Sequence, residues 1–288
     1  MRAPHRLLLP FFAALVVFWL VPLAEGIVMS LRSDTLYGPS HFVGLDHYRA
    51  LVHDARFQIA LRNTALYATL SIALILPTGL FIAHLLRRAC VPAQPALRFA
   101  LLLPGLTPPL VLALLFVLVF SGRYGLLNTA VLGPFGFPAV DWLKDPAAIP
   151  VSLLLQAGWR WTGFVTLVLL AGLEAIPRGY AEMARAEGAG SLSVFRDVTL
   201  PLLRPLLLFC AVMLFLDAFV QFSGAYVLLG ASGGTSDAGL LLVGLVYQTG
   251  FRYGRFGSAA AMALAIVPLL AMSLWLLLRT RASARFEA

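Results

Sequence analysis

Two oppositely charged residues, Arg160 and Asp217, stand deep inside apolar runs of this 288-residue sequence. Ionisable groups in such surroundings mark ion or proton pathways, substrate contacts or structural ion pairs. Asp217 is the one acidic residue in the middle of such a run; Glu25 lies nearer an end. Gln221 and Gly224 follow Asp217 at helical spacing, among Phe219, Phe222 and Tyr226. Hydrogen-bonding groups beside flat aromatic faces suit the passage of a sugar. Polar and small residues are equally ordinary contacts between membrane helices, and at this level both readings stand. Nucleophilic catalysis lacks a base. Gly230-Ala231-Ser232-Gly233 matches a GxSG string, but its serine needs a histidine from another helix, and His5, His41, His47, His53 and His84 leave none in the last span. No GxxxxGK followed by Ser or Thr occurs, and the single lysine is Lys144, so the chain has no phosphate-binding loop of its own. Cys90 and Cys210 form no CxxC and have no histidine nearby, which excludes a metal or redox motif.

The elements that must position these residues are membrane helices. Apolar residues make up 60% of the chain and charged residues 12%, against roughly 45–50% and about 25% in soluble domains. A soluble enzyme, a disordered tail and a coiled coil are excluded. The net charge of +8 comes from basic residues scattered between apolar runs, which argues against nucleic acid. An apolar run of about 20 residues crosses the hydrocarbon as a helix. Six are read: Leu7–Met29, Ala65–Leu86, Phe99–Phe120, Ala147–Leu170, Leu206–Leu229 and Phe256–Leu278. The first follows Arg2, His5 and Arg6 but is too long for a signal core and ends in Glu25-Gly26-Ile27, so it is read as a retained span. With both termini cytoplasmic, the short inner segments hold Arg2, Arg6, Arg87, Arg88, Arg98, Arg178, Arg185, Arg196, Arg204, Arg279, Arg281 and Arg285. The longer outer loops hold Arg32, Arg49, Arg56, Arg62, Arg123, Lys144, Arg252 and Arg255, a lower basic density. Arg160 then lies thirteen residues from Ala147 and Asp217 twelve from Leu229. Those depths are roughly 20 and 18 Å, so the two charges are level and each is the other's leading partner. Pro10, Pro22, Pro77, Pro104 and Pro268 mark expected kinks.

The loops carry further pattern. The first outer loop, Leu31–Thr64, contains Tyr37-Gly38-Pro39 and a short helix expected from Asp46 to Val52; the second, Ser121–Pro146, carries Gly, Pro and Trp142 and is expected to be folded rather than flexible. In the inner loop, about 174–205, Pro177 is read as starting a helix that carries Tyr180, Met183, Ala184 and Glu187. Gly188 and Gly190 end it, and Ser191 is read as capping a second short helix with Val194, Phe195 and Val198. Apolar residues on such a projection call for a protein partner.

This loop resembles the EAA motif of binding-protein-dependent ABC importer permeases. Glu182-Met183-Ala184 stands for the EAA triplet, Glu187-Gly188-Ala189 for the following DGA triplet, and Leu200-Pro201 for the downstream Leu-Pro. Met183 replaces an alanine and Glu187 an aspartate; the lead glutamate and the turn glycine are kept. Segments in order along the chain look like the carbohydrate-uptake branch of the MalF and UgpA type. They include Phe42–Tyr48, Ala60–Thr64, Tyr124–Asn128, Trp142-Leu143, Trp159-Arg160, Gly163-Phe164, Tyr226–Leu228, Gly233–Thr235 and Gly257–Ala261. Ser223 stands where that branch has an aspartate.

The resemblance implies an all-α, six-span MetI/MalF-like permease, a single membrane domain over residues 1–288 of the cytoplasmic (inner) membrane. It implies coupling to an ATPase through Glu182, Ala184, Glu187, Gly188, Ala189, Leu200 and Pro201, and a translocation path near Trp159, Arg160, Asp217, Gln221 and Tyr226. The implied partners are nucleotide-binding subunits holding ATP and Mg, a second homologous permease, and an external solute-binding protein. No cofactor is expected in this chain. The implied solute is a sugar or related compound, glycerol 3-phosphate included. The rival reading, a secondary transporter using its intramembrane charges, expects repeated, broken spans and gives the EAA-like loop no role.

Overall fold

The computed structural model describes residues 8–34, 40–88 and 94–283. Arg2, His5, Arg6, Tyr37-Gly38-Pro39, Cys90 and Arg285 lie outside the described residues. Among those described, helices dominate and no β-strand occurs; Arg32 and Phe42 form an isolated bridge.

The first span, α1, runs over Leu9–Ser30, and no residue of its apolar stretch is buried. Helix α2 (Asp46–His53) is the short helix expected in the first loop. Helix α3 (Ala55–Arg88) begins at Ala55 rather than at Ala65. The reason is a cap that hydropathy does not register: Asp54 Oδ1 accepts hydrogen bonds from the backbone N–H groups of Arg56 at 2.8 Å and Phe57 at 3.0 Å. At 34 residues α3 is about 51 Å long and outreaches the hydrocarbon.

The third expected span is broken. Helices α4 (Gln94–Leu106) and α5 (Pro109–Val119) meet at 95°. Pro108 lacks an N–H and, standing before Pro109, has ψ 134°, out of the helical region, and Pro109 restarts the chain at the head of α5. The kink therefore falls at Pro108-Pro109, while Pro104 is carried within α4.

Helix α6 (Ile149–Ala175) is the central element, packed along α3 and crossed by α4. Gly163 permits that crossing: a Cβ there would overlap the Leu101 carbonyl oxygen of α4. Helix α7 (Arg178–Ala186) follows, with Pro177 one position ahead of the expected first turn. The second short helix is not separate. Gly190, not Ser191, is the residue before it, and one helix, α8, runs over Ser191–Val220 through a π-helical turn at Val194–Thr199 and past Pro201 and Pro205. The non-helical part of the inner loop thus shrinks to the flanks of α7.

Helix α8 also ends early, at Val220 instead of Leu229. Gln221 is extended, Phe222 is non-helical, and α9 (Ser223–Leu229) starts anew. Residues 242–252 form α10, an α-helical stretch Leu242–Tyr247 continued by a π-helical Gln248–Arg252. It was not anticipated, and Leu242, Leu245, Gln248 and Thr249 are buried in it. Helix α11 (Phe256–Ser283) closes the fold.

Ile75 of α3, Val165, Leu169 and Leu173 of α6, Leu203 and Leu214 of α8 and Leu242 of α10 form the core. Within lipid such contacts stabilise by close packing rather than by escape from water. The second loop is folded, as expected, around buried Asn128. Its amide donates to the Gly122 and Val140 carbonyls at 2.9 and 2.8 Å and accepts from the Trp142 indole at 3.0 Å.

Candidate functional site

Successive turns of α6 bring Gln156, Arg160 and Trp161 to one cluster, and the last turn of α8 brings Asp217. Arg160 Nη1 lies 3.5 Å from Asp217 Oδ1, a long contact. The nearer partner of the carboxylate is Trp161, whose indole N–H donates to Oδ2 at 2.8 Å. The Arg160 guanidinium sits 4.7 Å from the centre of the Trp161 ring, adding a cation–π contact. The two charged side chains are 18% and 19% exposed, so the pair is largely withdrawn from its surroundings. Tyr67 of α3, Pro109 and Leu112 of α5, and Gln221 and Gly224 at the α8–α9 break share the lining of a small cavity of about 10 Å³. Gln221 also lines a second cavity with Phe222 and Tyr226, so the break places one amide between the two spaces. Beyond it the rings run on. Phe222 lies 5.0 Å from both Tyr226 and Tyr247, and Tyr247 stacks on Phe251 at 5.2 Å.

At the α7 end, the turn after Ala186 is a Schellman motif. Ala189 N–H donates to Ala184 C=O at 2.9 Å and Gly188 N–H to Arg185 C=O at 3.0 Å. Gly188 has φ +89°, a region a β-carbon disfavours. Tyr180, Glu182, Met183, Glu187 and Leu192 are exposed on the projection. Ala184 and Ala189 are half-buried beneath it, while Leu200 and Pro201 lie in α8 just past its π turn. Phe195 packs edge-on to His84 of α3 at 6.1 Å, and Arg98 of α4 pairs with Glu174 at 2.6 Å, which fastens neighbouring helices beside the projection.

Residues 75–281 match the family of the binding-protein-dependent transport system inner membrane component. The chain belongs to this family. The permease is 31% identical to the arabinooligosaccharides transport system permease protein AraP of Bacillus subtilis (strain 168), over 92% of this chain and 84% of that one. It is 30% identical to the trehalose/maltose transport system permease protein MalF of Thermococcus litoralis, over 90% and 87%. Its fold is shared with a chain of a bacterial alginate ABC transporter solved with an alginate pentasaccharide-bound periplasmic protein. That match has a TM-score of 0.79 at 20% identity and covers 98% of this chain and 93% of the other. The permease is thus an all-α, multi-pass membrane protein of the MetI/MalF-like fold, a transport component and not a catalyst. Among the described residues five helices are long and apolar enough to cross a membrane, or six when the bent α4–α5 pair counts as one span.

Of the residues expected along a path, Arg160, Asp217 and Gln221 meet in the permease; Tyr226 lies one cavity away, and Trp159 faces outward with 62% of its surface exposed. Gln221 belongs to a helix break rather than to a helix face, because the chain is extended there. Gln156, Trp161 and Tyr67 were missed. The i, i+4 pair Gln156 and Arg160 in an apolar run was the available signal.

Two clasps on the loops opposite α7 were not legible either. Arg56 grips Asp237 with two hydrogen bonds, at 2.8 and 3.0 Å, and the Asn63 amide donates to the Asp237 carbonyl at 2.9 Å. Together they hold Ser236 and Asp237 at φ +56° and +55°, an uncommon state for residues other than glycine. Asp34 accepts from the Ser258 N–H at 3.0 Å and from the Ser258 hydroxyl, and Arg255 lies 3.3 Å away. Burial works to raise the Asp34 carboxyl, but the Ser258 hydrogen bonds and the charges of His47 and Arg255 outweigh it and hold it below its ordinary value. Among the described residues no cluster of three His, Cys, Asp or Glu could hold a metal.

Proposed function

We propose that this permease forms the translocation path of an ATP-driven importer for a sugar or related compound, in the cytoplasmic (inner) membrane with both termini cytoplasmic. Residues 1–288 act as one membrane domain. A nucleotide-binding subunit, which holds ATP and Mg, docks on α7 and its Gly188 turn through Glu182, Ala184, Glu187, Ala189 and the Leu200-Pro201 step. A second permease completes the path, and an external binding protein delivers the solute.

The observation that carries this reading is the projection itself. It is a capped helix with Tyr180 and Met183 exposed, and Leu192 exposed beside it at the start of α8, about 22 Å beyond Arg160 along α6. Exposed apolar side chains on a structured projection fit a docking role. The aromatic run from Phe251 to Phe222, leading to the Gln221 amide, supplies flat faces and hydrogen-bonding groups of the kind a sugar ring needs. The names of the relatives, which transport arabino-oligosaccharides and trehalose or maltose, support the same solute class.

One observation favours a second reading: the intramembrane Arg160–Asp217 pair would suit an ion-coupled carrier. Reconstitution separates the two. Uptake into proteoliposomes should need the ATPase subunit and ATP and should survive ionophores. ATP-independent, ionophore-sensitive accumulation by this chain alone would overturn the proposal.

A further inference from the structure

A cavity of about 290 Å³ opens where the end of α3 meets α7 and the start of α8. Its walls bring together Arg87 of α3 and Arg185 of α7, with Glu182 as the one carboxylate. Both arginines are exposed, and neither has an ion pair among the described residues, although Arg185 follows Glu182 by only three positions. Two cations gathered against one acid leave an excess of positive charge, and a concave wall concentrates its field. Ser191 and Thr199 bring hydroxyl groups to the same space. Helix α8 adds to the field, because it starts at the cavity with no side-chain cap on its first N–H groups.

We propose that this cavity binds a phosphate-type anion, either the headgroup phosphate of an anionic lipid or a free phosphate. A guanidinium fork donates to two phosphate oxygens at once, which is why arginine suits this ligand better than lysine does. The Ser191 and Thr199 hydroxyls supply further donors. The level fits a headgroup: the apolar run of α3 ends at Leu86, so Arg87 stands where the helix leaves the hydrocarbon. Basic pockets between membrane helices hold anionic headgroups in this way. The size fits as well, since about 290 Å³ lies at the lower end of small-ligand sites. Net charge sets the selectivity. A zwitterionic lipid carries its own ammonium and gains less from the two arginines, and Glu182 keeps their excess to a single charge. An anion held by Arg87 and Arg185 together would tie α7 to α3.

Arg87→Gln with Arg185→Gln removes both guanidinium groups from the cavity. Arg196→Gln with Arg204→Gln removes the same charge from α8 outside it and serves as the control. The cavity arginines are exposed and unpaired, so their loss should leave the fold intact. The first probe is sodium phosphate, compared with sodium chloride at equal ionic strength, on the full-length chain in detergent. At about five times its Kd it should raise the melting temperature of the parent and of the control by about 2–3 °C and leave the cavity variant unmoved. The second probe is a mixed micelle of phosphatidylglycerol and phosphatidylcholine, read by native mass spectrometry. Parent and control should retain one phosphatidylglycerol more than the cavity variant, with no such difference for phosphatidylcholine. A response to phosphate alone would assign the site to the free anion, and selective retention of phosphatidylglycerol would assign it to the headgroup; either supports the proposal. No response of the parent to either probe, or an equal loss in the cavity variant and the control, would overturn it. So would a cavity variant whose sole defect is weaker co-purification with the ATPase subunit, since the cavity would then belong to that subunit's seat.

Discussion

Replacing Asp217 by Asn tests the central charge pair. The substitution leaves Arg160 charged and only 18% exposed, with the Trp161 ring as its one remaining electrostatic partner. Breaking a buried pair by removing one member costs about 3–5 kcal/mol. Two features of this pair lower that figure: the contact is 3.5 Å long, and an Asn oxygen can still accept the indole hydrogen bond now made at 2.8 Å. About 2–3 kcal/mol is therefore expected. Arg160→Met should lose a similar amount, and the double variant should recover most of it, because both charges are gone. A reversed pair, Arg160→Asp with Asp217→Arg, should recover little: the Trp161 N–H would then face a second donor. The assay is a double-mutant cycle on unfolding in mixed detergent, read by tryptophan fluorescence. A coupling energy near zero, with the single losses simply adding, would refute the direct pair and leave each charge acting alone.

Gly188→Val should preserve membrane insertion but uncouple ATP hydrolysis from uptake, since a β-branched residue at φ +89° costs about 1–3 kcal/mol; normal transport by the variant would refute this. Gly163→Val should lower accumulation in the membrane or thermal stability sharply by forcing α4 off α6, and intact stability would show that the crossing is not tight. The Asp34 carboxyl titrates below its unfolded value of about 3.9, so its clasp contributes stability above that pH and loses it as the pH falls through the lower folded value. Melting curves of the parent and Asp34→Asn should therefore differ by a constant amount above about pH 4 and converge below it, and a gap that persists in strong acid would contradict the assignment.

What was legible in the sequence follows from what each element depends on. Spans set by bulk hydropathy, such as α1 and α6, were found close to their true limits. The depth counted for Asp217 from Leu229 does not apply, because α8 stops at Val220; the two charges still meet, at 3.5 Å, Asp217 being the one acid in the middle of an apolar run. Features set by local chemistry escaped. The Asp54 cap extends α3 through residues too polar for a hydropathy window, and Pro108-Pro109 sits inside a run apolar enough to hide a 95° turn. Helix α10 is short and mixes Gln248 and Thr249 with its leucines, so only its tertiary packing identifies it. Gln156 reads as one polar residue in an apolar helix; its burial beside the ion pair exists only in three dimensions. Both loop clasps join residues more than 170 positions apart, beyond any local pattern.

Helix α8 has a mechanical consequence. It begins at Ser191, directly after the Gly188 turn, and ends three residues past Asp217. Its 30 residues span about 45 Å. From Leu206 to Val220 it contains neither proline nor glycine, so its far half is a stiff lever with its give concentrated at the π turn and Pro205. A tilt of about 10° of that half about Pro205 would carry its far tip roughly 4 Å. Hydrogen bonds tolerate a few tenths of an ångström. A far smaller tilt of that half would part Asp217 from Trp161 and Arg160, with which it lines one cavity.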